Sequence, residues 1–230
     1  ILQKFNEGLF FLKTDWIDIL QIHGFDKKTN IFEMLDTISY LIQIGKVRYF
    51  GFSNIDKKQL ELVYKSKHPI LKKLISIQLQ FNIIERKAEK FFFNICKKKK
   101  LSIFFNQVFA KGILLNKYKN KKKFPKKTRA FSSIALRNNI TQKVLKLTND
   151  LEELSTSLKQ EINQLLLSWT LSKFDNSICI LGFSKKEHIV NYNKFKLTKN
   201  SKEIDYKIEQ LLKKNFYNKT IYDKPKKFIN

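Results

Sequence analysis

Gly45-Lys46-Val47-Arg48-Tyr49-Phe50-Gly51-Phe52-Ser53-Asn54 places a helix stop, a strand and a polar strand end in one short run. Upstream, Ile31, Met34, Leu35, Ile38, Leu41 and Ile42 recur at helical spacing. Asn30 stands where an N-cap belongs, with Glu33 closing a capping box, and Gly45 stops the helix. Val47 to Phe52 then reads as a strand. Downstream, Asp56 with Gln59 opens a helix through Tyr64. A strand held between two amphipathic helices points to parallel pairing with helical crossovers.

The same alternation extends in both directions. Ile17 to Ile22, Leu74 to Leu79, Leu101 to Phe105 and Ile178 to Leu181 are short apolar runs with the character of buried strands. The residues ahead of Ile17 read as a helix, as do Ala88 to Lys98 and Thr141 to Leu154. A further helix is expected from an N-cap at Ser157, with Gln160 three residues on, to Lys173. Lys185 to Tyr192 and a segment capped by Ser201, with Ile204, Ile208, Leu211 and Leu212 inward, complete the helices. Lys111 to Ser133 reads as a polar loop whose lysine run, Lys117 to Lys127, is solvated and mobile. Five such strands make an α/β fold, either an open sheet or part of a closed barrel, and periodicity does not choose between them.

Chemistry collects where parallel strands end. The first strand ends in Gln21-Ile22-His23-Gly24 and the second in Gly51-Phe52-Ser53-Asn54. The third carries Gln78 and runs into Phe81-Asn82, and the fifth ends in Leu181-Gly182-Phe183-Ser184. Neutral amides and a hydroxyl suit a carboxamide, which offers two N–H donors and one acceptor oxygen. A histidine on the same rim can donate to a carbonyl. Each residue also has a plain structural role open to it. Ser53-Asn54 could cap the next helix or make a turn, Gln78 could satisfy a backbone group, and a lone histidine is often only exposed.

Thr14-Asp15-Trp16-Ile17-Asp18-Ile19-Leu20-Gln21-Ile22-His23 resembles the aldo-keto reductase signature around that family's active-site histidine, and Gly45 to Asn54 resembles its G-K-[VI]-R-x-[IL]-G-[VA]-S-N signature. Gln78-Leu79-Gln80-Phe81-Asn82 is similar to Q-x-x-Y-N, and Gly112 to Tyr118 to G-x-L-T-G-K-Y. Gly182 to His188 resembles the cofactor segment after the last strand. The resemblance implies a (β/α)8 TIM barrel, with this chain covering about strands 4 to 8 and their helices. It implies NADPH as cofactor, NADH remaining open, and hydride transfer that turns an aldehyde or ketone, a small carbonyl substrate, into an alcohol. Carried over, His23 orients the carbonyl, and Ser53, Asn54 and Gln78 hold the nicotinamide carboxamide. Gly112 and Lys117 lie along the pyrophosphate, and Gly182, Ser184 and His188 line the adenosine side.

The resemblance also implies residues that this chain does not carry. The family's catalytic Asp, Tyr and Lys precede the histidine, and the residues ahead of His23 read as the helix after the third barrel strand. Asn106 stands where the family places the aromatic that stacks on nicotinamide, Asn116 replaces the glycine before Lys117, and His188 replaces an Arg or Gln. The expectation is a chain inactive alone. Its N-terminal part is then absent from the sequence, supplied as a separate segment, or lost in a non-catalytic remnant. A basic binding protein on the same scaffold is the alternative from another class. Residues 1–216 would be the C-terminal part of the barrel and 217–230 a basic, flexible tail.

Composition restrains the last alternative. The net charge of +26 comes from 46 Lys and Arg against 20 Asp and Glu, a balance that ordinarily suggests nucleic acid. Here Lys, Asn, Ile and Phe are enriched along the whole chain while Arg, Gly, Ala and Pro are scarce, the mark of an A- and T-rich coding bias. A phosphate-binding patch would be clustered and richer in Arg. Cys96 and Cys179 have neither metal nor disulfide spacing, as in a reducing cytoplasm, the expected location. No apolar run is long enough to span a membrane, and no metal site is expected. Ile1 to Lys13 lacks the pattern of a signal peptide, and an Ile at position 1 suggests an absent N-terminus.

Overall fold

The computed structural model describes residues 1–25, 29–118, 124, 129–183, 186–193 and 201–216. The elements are α1 (Leu2–Leu12), β1 (Ile17–Ile22), α2 (Ile31–Gln43), β2 (Val47–Ser53), α3 (Lys57–Lys65), β3 (Leu74–Gln80), α4 (Lys87–Lys99) and β4 (Ser102–Asn106). There follow α5 (Arg129–Ser132), α6 (Ile134–Asn138), α7 (Gln142–Ser157), α8 (Ile162–Ser172), β5 (Ser177–Cys179), α9 (Lys186–Asn193) and α10 (Ser201–Phe216). The strands form one sheet in the order β1-β2-β3-β4-β5. β1 pairs with β2, and β2 with β3, in parallel.

Local chemistry accounts for the element ends. Asn30 caps α2, but its side chain accepts from Phe32 N–H, so the expected box with Glu33 is not what closes the turn. Gly45, at φ +73°, ends α2. Its N–H reaches Ile42 O at 3.1 Å and that of Lys46 reaches Leu41 O at 3.0 Å, the two bonds of a Schellman motif. α3 opens with the full reciprocal box of Asp56 and Gln59.

Contacts divide the chain into two compact units. The first is Ile1–Leu79 with Ala88–Phe104 and Asn176–Ile178. Its core is drawn from Leu35, Ile38, Phe50, Phe52, Leu60, Ile77 and Ile103, all fully buried. Each such side chain contributes roughly 1.5–3 kcal/mol by leaving water. The second unit is Gln80–Lys87 with Phe105–Asp175 and Cys179–Asn230. There Phe81 stacks on Trp169, ring centroids 5.5 Å apart and planes 7° apart, and packs against Phe105 at 4.8 Å.

Four sequence expectations are corrected. The helix expected to start at Ser157 does not, because α7 continues through Ser157, whose hydroxyl donates back to Leu154 O at 2.8 Å. α8 begins after Glu161 instead. The region expected to be a plain loop from Lys111 to Ser133 contains α5 and overlaps a 3-10 turn, Ala110–Leu115, held by the burial of Ile113, Leu114 and Ala130. The last strand is shorter than expected, although Ile180 N–H still reaches Phe105 O at 2.8 Å. Leu211, expected inward, is only part-buried, while Ile204, Ile208 and Leu212 are buried. Most of the lysine run and residues 217–230 lie outside the described residues. Among the described residues, no helix is long and apolar enough to cross a membrane, and no cluster of His, Cys, Asp and Glu could hold a metal ion.

Candidate functional site

In the first unit, the ends of β1, β2 and β3 bring four predicted residues together. Parallel register sets Ile22 beside Phe52 and Ser53 beside Gln78. His23 follows β1 directly and is exposed. The Asn54 N–H donates to Gln78 O at 3.2 Å, and its side-chain Nδ2 donates to His23 O at 3.1 Å. Asn54 can take this position because it sits at φ +55°, a left-handed conformation that asparagine tolerates better than most residues. Ser53 is 2% exposed and its hydroxyl has no hydrogen-bond partner among the described residues. A buried hydroxyl without a partner is disfavoured unless something pairs it. The Gln78 side chain, part-buried, also has no hydrogen bond among the described residues.

Beneath this rim lies a contact that sequence reasoning missed. Gln21, Gly51 and Ser76 stand abreast on three strands. Gln21 Nε2 bonds Ser76 Oγ at 2.6 Å, passing over Gly51. A Cβ on Gly51 would lie 2.3 Å from Ser76 Oγ and 2.6 Å from Gln21 Nε2, so this glycine is required by close approach. Alternation hinted at part of this, since Gln21 shares a strand face with His23. The partner on β3 is a long-range fact with no local signal.

In the second unit, Gly112 and Lys117 lie close together. Gly112 has φ +93°, and a Cβ there would be 3.9 Å from Lys117 Cδ. The glycine is thus required by backbone conformation, not by crowding. Lys117 is exposed, while its neighbours Asn116 and Tyr118 are buried. Asn116 stands in a left-handed conformation at φ +54°. Its side chain is held by Asn149 at 3.1 Å, Glu152 at 2.6 Å and Thr148 at 3.2 Å. This network fixes the turn to α7 without glycine. Gly182 is exposed after β5, with nothing crowding it. Ser184 lies outside the described residues. His188 falls on α9, but its side chain lies outside them too. Tyr192, further along α9, packs on Phe183 at 5.1 Å and Phe109 at 6.2 Å, and burial pushes its phenol upward in pKa.

The profile of the aldo/keto reductase family matches residues 1–211. Versiconal hemiacetal acetate reductase of Aspergillus parasiticus is 26% identical over 175 residues, 76% of this chain and 51% of that protein. An uncharacterized oxidoreductase of Bacillus subtilis is 30% identical over 117 residues, 51% of this chain and 36% of its own length. Among solved structures, a glycerol dehydrogenase from Gluconobacter oxydans superposes with a TM-score of 0.81 at 23% identity, covering 94% of this chain and 64% of that one. An aldo/keto reductase from Klebsiella pneumoniae, solved with NADP and acetate, gives 0.65 at 17% identity, covering 92% and 63%. The chain spans about half the length of several curated relatives it matches. The sheet, the motifs and the extent of the family match lead to one conclusion: the chain belongs to the aldo/keto reductase family.

Proposed function

We propose that this chain forms the later strands of an aldo-keto reductase barrel and contributes the carbonyl-orienting and cofactor-holding residues of an NADPH-dependent reduction of a small aldehyde or ketone. The observation that carries this is the buried Ser53 hydroxyl, unpaired among the described residues, beside Asn54 and Gln78 at the same strand ends as His23. The site fits a carboxamide. Ser53 Oγ can donate or accept, and the Gln78 amide offers both donor and acceptor. NADPH, when bound, supplies hydride to the carbonyl carbon.

The chain's own residues then have distinct tasks. His23 hydrogen-bonds the carbonyl oxygen and fixes its direction. Asn54, by gripping the His23 main chain, holds that residue at the end of β1. Ser53 and Gln78 hold the carboxamide, while the resemblance assigns Gly112 and Lys117 to the pyrophosphate. Gly182, Ser184 and His188 would complete the adenosine side.

Proton delivery to the alkoxide is the missing function. The family resemblance assigns it to a Tyr helped by a Lys and an Asp, and the residues ahead of His23 include no Tyr. General acid catalysis is worth roughly 10²–10⁴-fold, so the chain is proposed to turn over poorly unless a separate segment brings those groups. Among the described residues, the outer strands β1 and β5 each have one edge free of strand pairing. Phe10 and Phe11 on α1 are each 79% exposed. Open edges and bare aromatics fit a barrel wall that awaits further strands. The test is NADPH titration by protein fluorescence, with and without Ser53→Ala. Weaker binding on removal of the hydroxyl supports the reading. Unchanged affinity, or no binding by either protein even with the added segment, contradicts it.

A further inference from the structure

Among the described residues five buried side-chain amide atoms lack hydrogen-bond partners, Gln21 Oε1, Gln80 Nε2, Asn106 Oδ1, Gln107 Oε1 and Asn215 Oδ1, and three of them, on Gln80, Asn106 and Gln107, lie on neighbouring backbone in the second unit. Their backbones run side by side. Phe81 N–H donates to Asn106 O at 3.2 Å, and Asn82 Nδ2 donates to Gln107 O at 3.0 Å. The aromatic stack of Phe81, Phe105 and Trp169 occupies one face here. Successive side chains on a strand point to opposite faces, so Gln80 and Asn106 project together from the other face. Gln107 turns the chain just beyond, in a left-handed conformation at φ +53°, followed by Ala110 at +47° and Lys111 at +57°. Such conformations persist in residues other than glycine only where their surroundings hold them, often at ligand sites.

We infer that Gln80, Asn106 and Gln107 form a hydrogen-bonding subsite for a primary carboxamide. The buried atoms supply one donor and two acceptors. A primary carboxamide supplies the complement, one acceptor oxygen and two N–H donors. Left unpaired, the three atoms are a net burden on the fold, and a ligand that pairs them recovers their lost hydration. The subsite therefore selects for amide N–H groups over apolar rings. The inference concerns this cluster alone and does not depend on hydride transfer.

The test uses the full chain, labelled with nitrogen-15, without NADPH. Benzamide is titrated while the side-chain NH₂ signals of Gln80, Asn106 and Gln107 are followed, and N,N-dimethylbenzamide serves as the ligand of similar shape that lacks N–H donors. Benzamide should shift the Gln80 and Asn106 signals saturably, and the dimethyl compound should bind about tenfold more weakly or worse, the loss expected for two neutral hydrogen bonds. Asn106→Leu and Gln80→Leu should lose the benzamide response while unfolding at equal or higher urea concentration, because an unsatisfied polar group is replaced by an apolar one. Equal response to both compounds, or no response, would overturn the inference. So would an Asn106→Leu variant that unfolds earlier or fails to fold, since the amide would then serve the structure.

Discussion

Asn54 donates through Nδ2 to the main-chain oxygen of His23 at 3.1 Å, tying together two residues 31 positions apart. Its N–H simultaneously reaches Gln78 O. One left-handed residue therefore links the ends of three strands. Asn54→Gly should keep the backbone conformation and lose only the side-chain bond. Asn54→Ala should lose both, at about 1–2 kcal/mol for the left-handed conformation alone. Urea unfolding should rank wild type first, then Gly, then Ala; Ala equal to wild type would mean that the link does not hold the rim.

Gly51 gives a second prediction. Gly51→Ala drives a Cβ into the Gln21–Ser76 hydrogen bond and should destabilise by roughly 1–3 kcal/mol, the range for overpacking. The same substitution in a Gln21→Ala, Ser76→Ala background should be much milder. A double-mutant cycle with no coupling would show that the crowding is relieved elsewhere.

A third prediction concerns the second unit. The fully buried Trp169 donates its indole N–H to Asp205 at 3.0 Å. Lys173, its side chain 13% exposed, pairs with the same carboxylate. Asp205→Ala leaves the indole N–H unpaired and leaves Lys173 the more distant Glu209 carboxylate, at 3.8 Å, and should cost roughly 1–3 kcal/mol. Asp18→Ala breaks the exposed pair with Arg48 and should fall within about 0.5 kcal/mol of wild type. Similar unfolding midpoints for the two variants would contradict this ordering.

Burial sets a fourth. It raises the thiols of Cys96 and Cys179 from 9.0 to about 12 and the phenol of Tyr64 from 10.0 to about 12. The folded chain therefore holds protons that the unfolded chain releases. The stabilisation is full below pH 9 and is lost as pH rises through the folded values towards 12. Unfolding free energy should fall across that window, and iodoacetamide at pH 8 should label the thiols only after denaturation. Rapid labelling of the native protein would refute the assignment.

Local signals made much of the fold legible. Asp56 with Gln59, Gly45 and the apolar run Ile17 to Ile22 each act within a few residues, and sequence shows them directly. Ser157 misled because a serine can cap a following helix or bond back within the preceding one, and only the packing of α7 decides. The rim residues were legible as polar residues at strand ends. The Gln21–Ser76 bond, the Asn116 network and the buried amides of Gln80, Asn106 and Gln107 were not, because each depends on partners or burial set by the tertiary fold.

We propose that this chain supplies carbonyl-orienting and cofactor-holding residues of a reductase. NADPH absorbance followed with a reactive aldehyde tests it most directly, before and after adding a separate segment that bears the Asp, Tyr and Lys. The expected result is negligible turnover by the 230 residues alone, and turnover that appears with the added segment and is lost in His23→Ala. Appreciable turnover by the chain alone, abolished by His23→Ala, would contradict it.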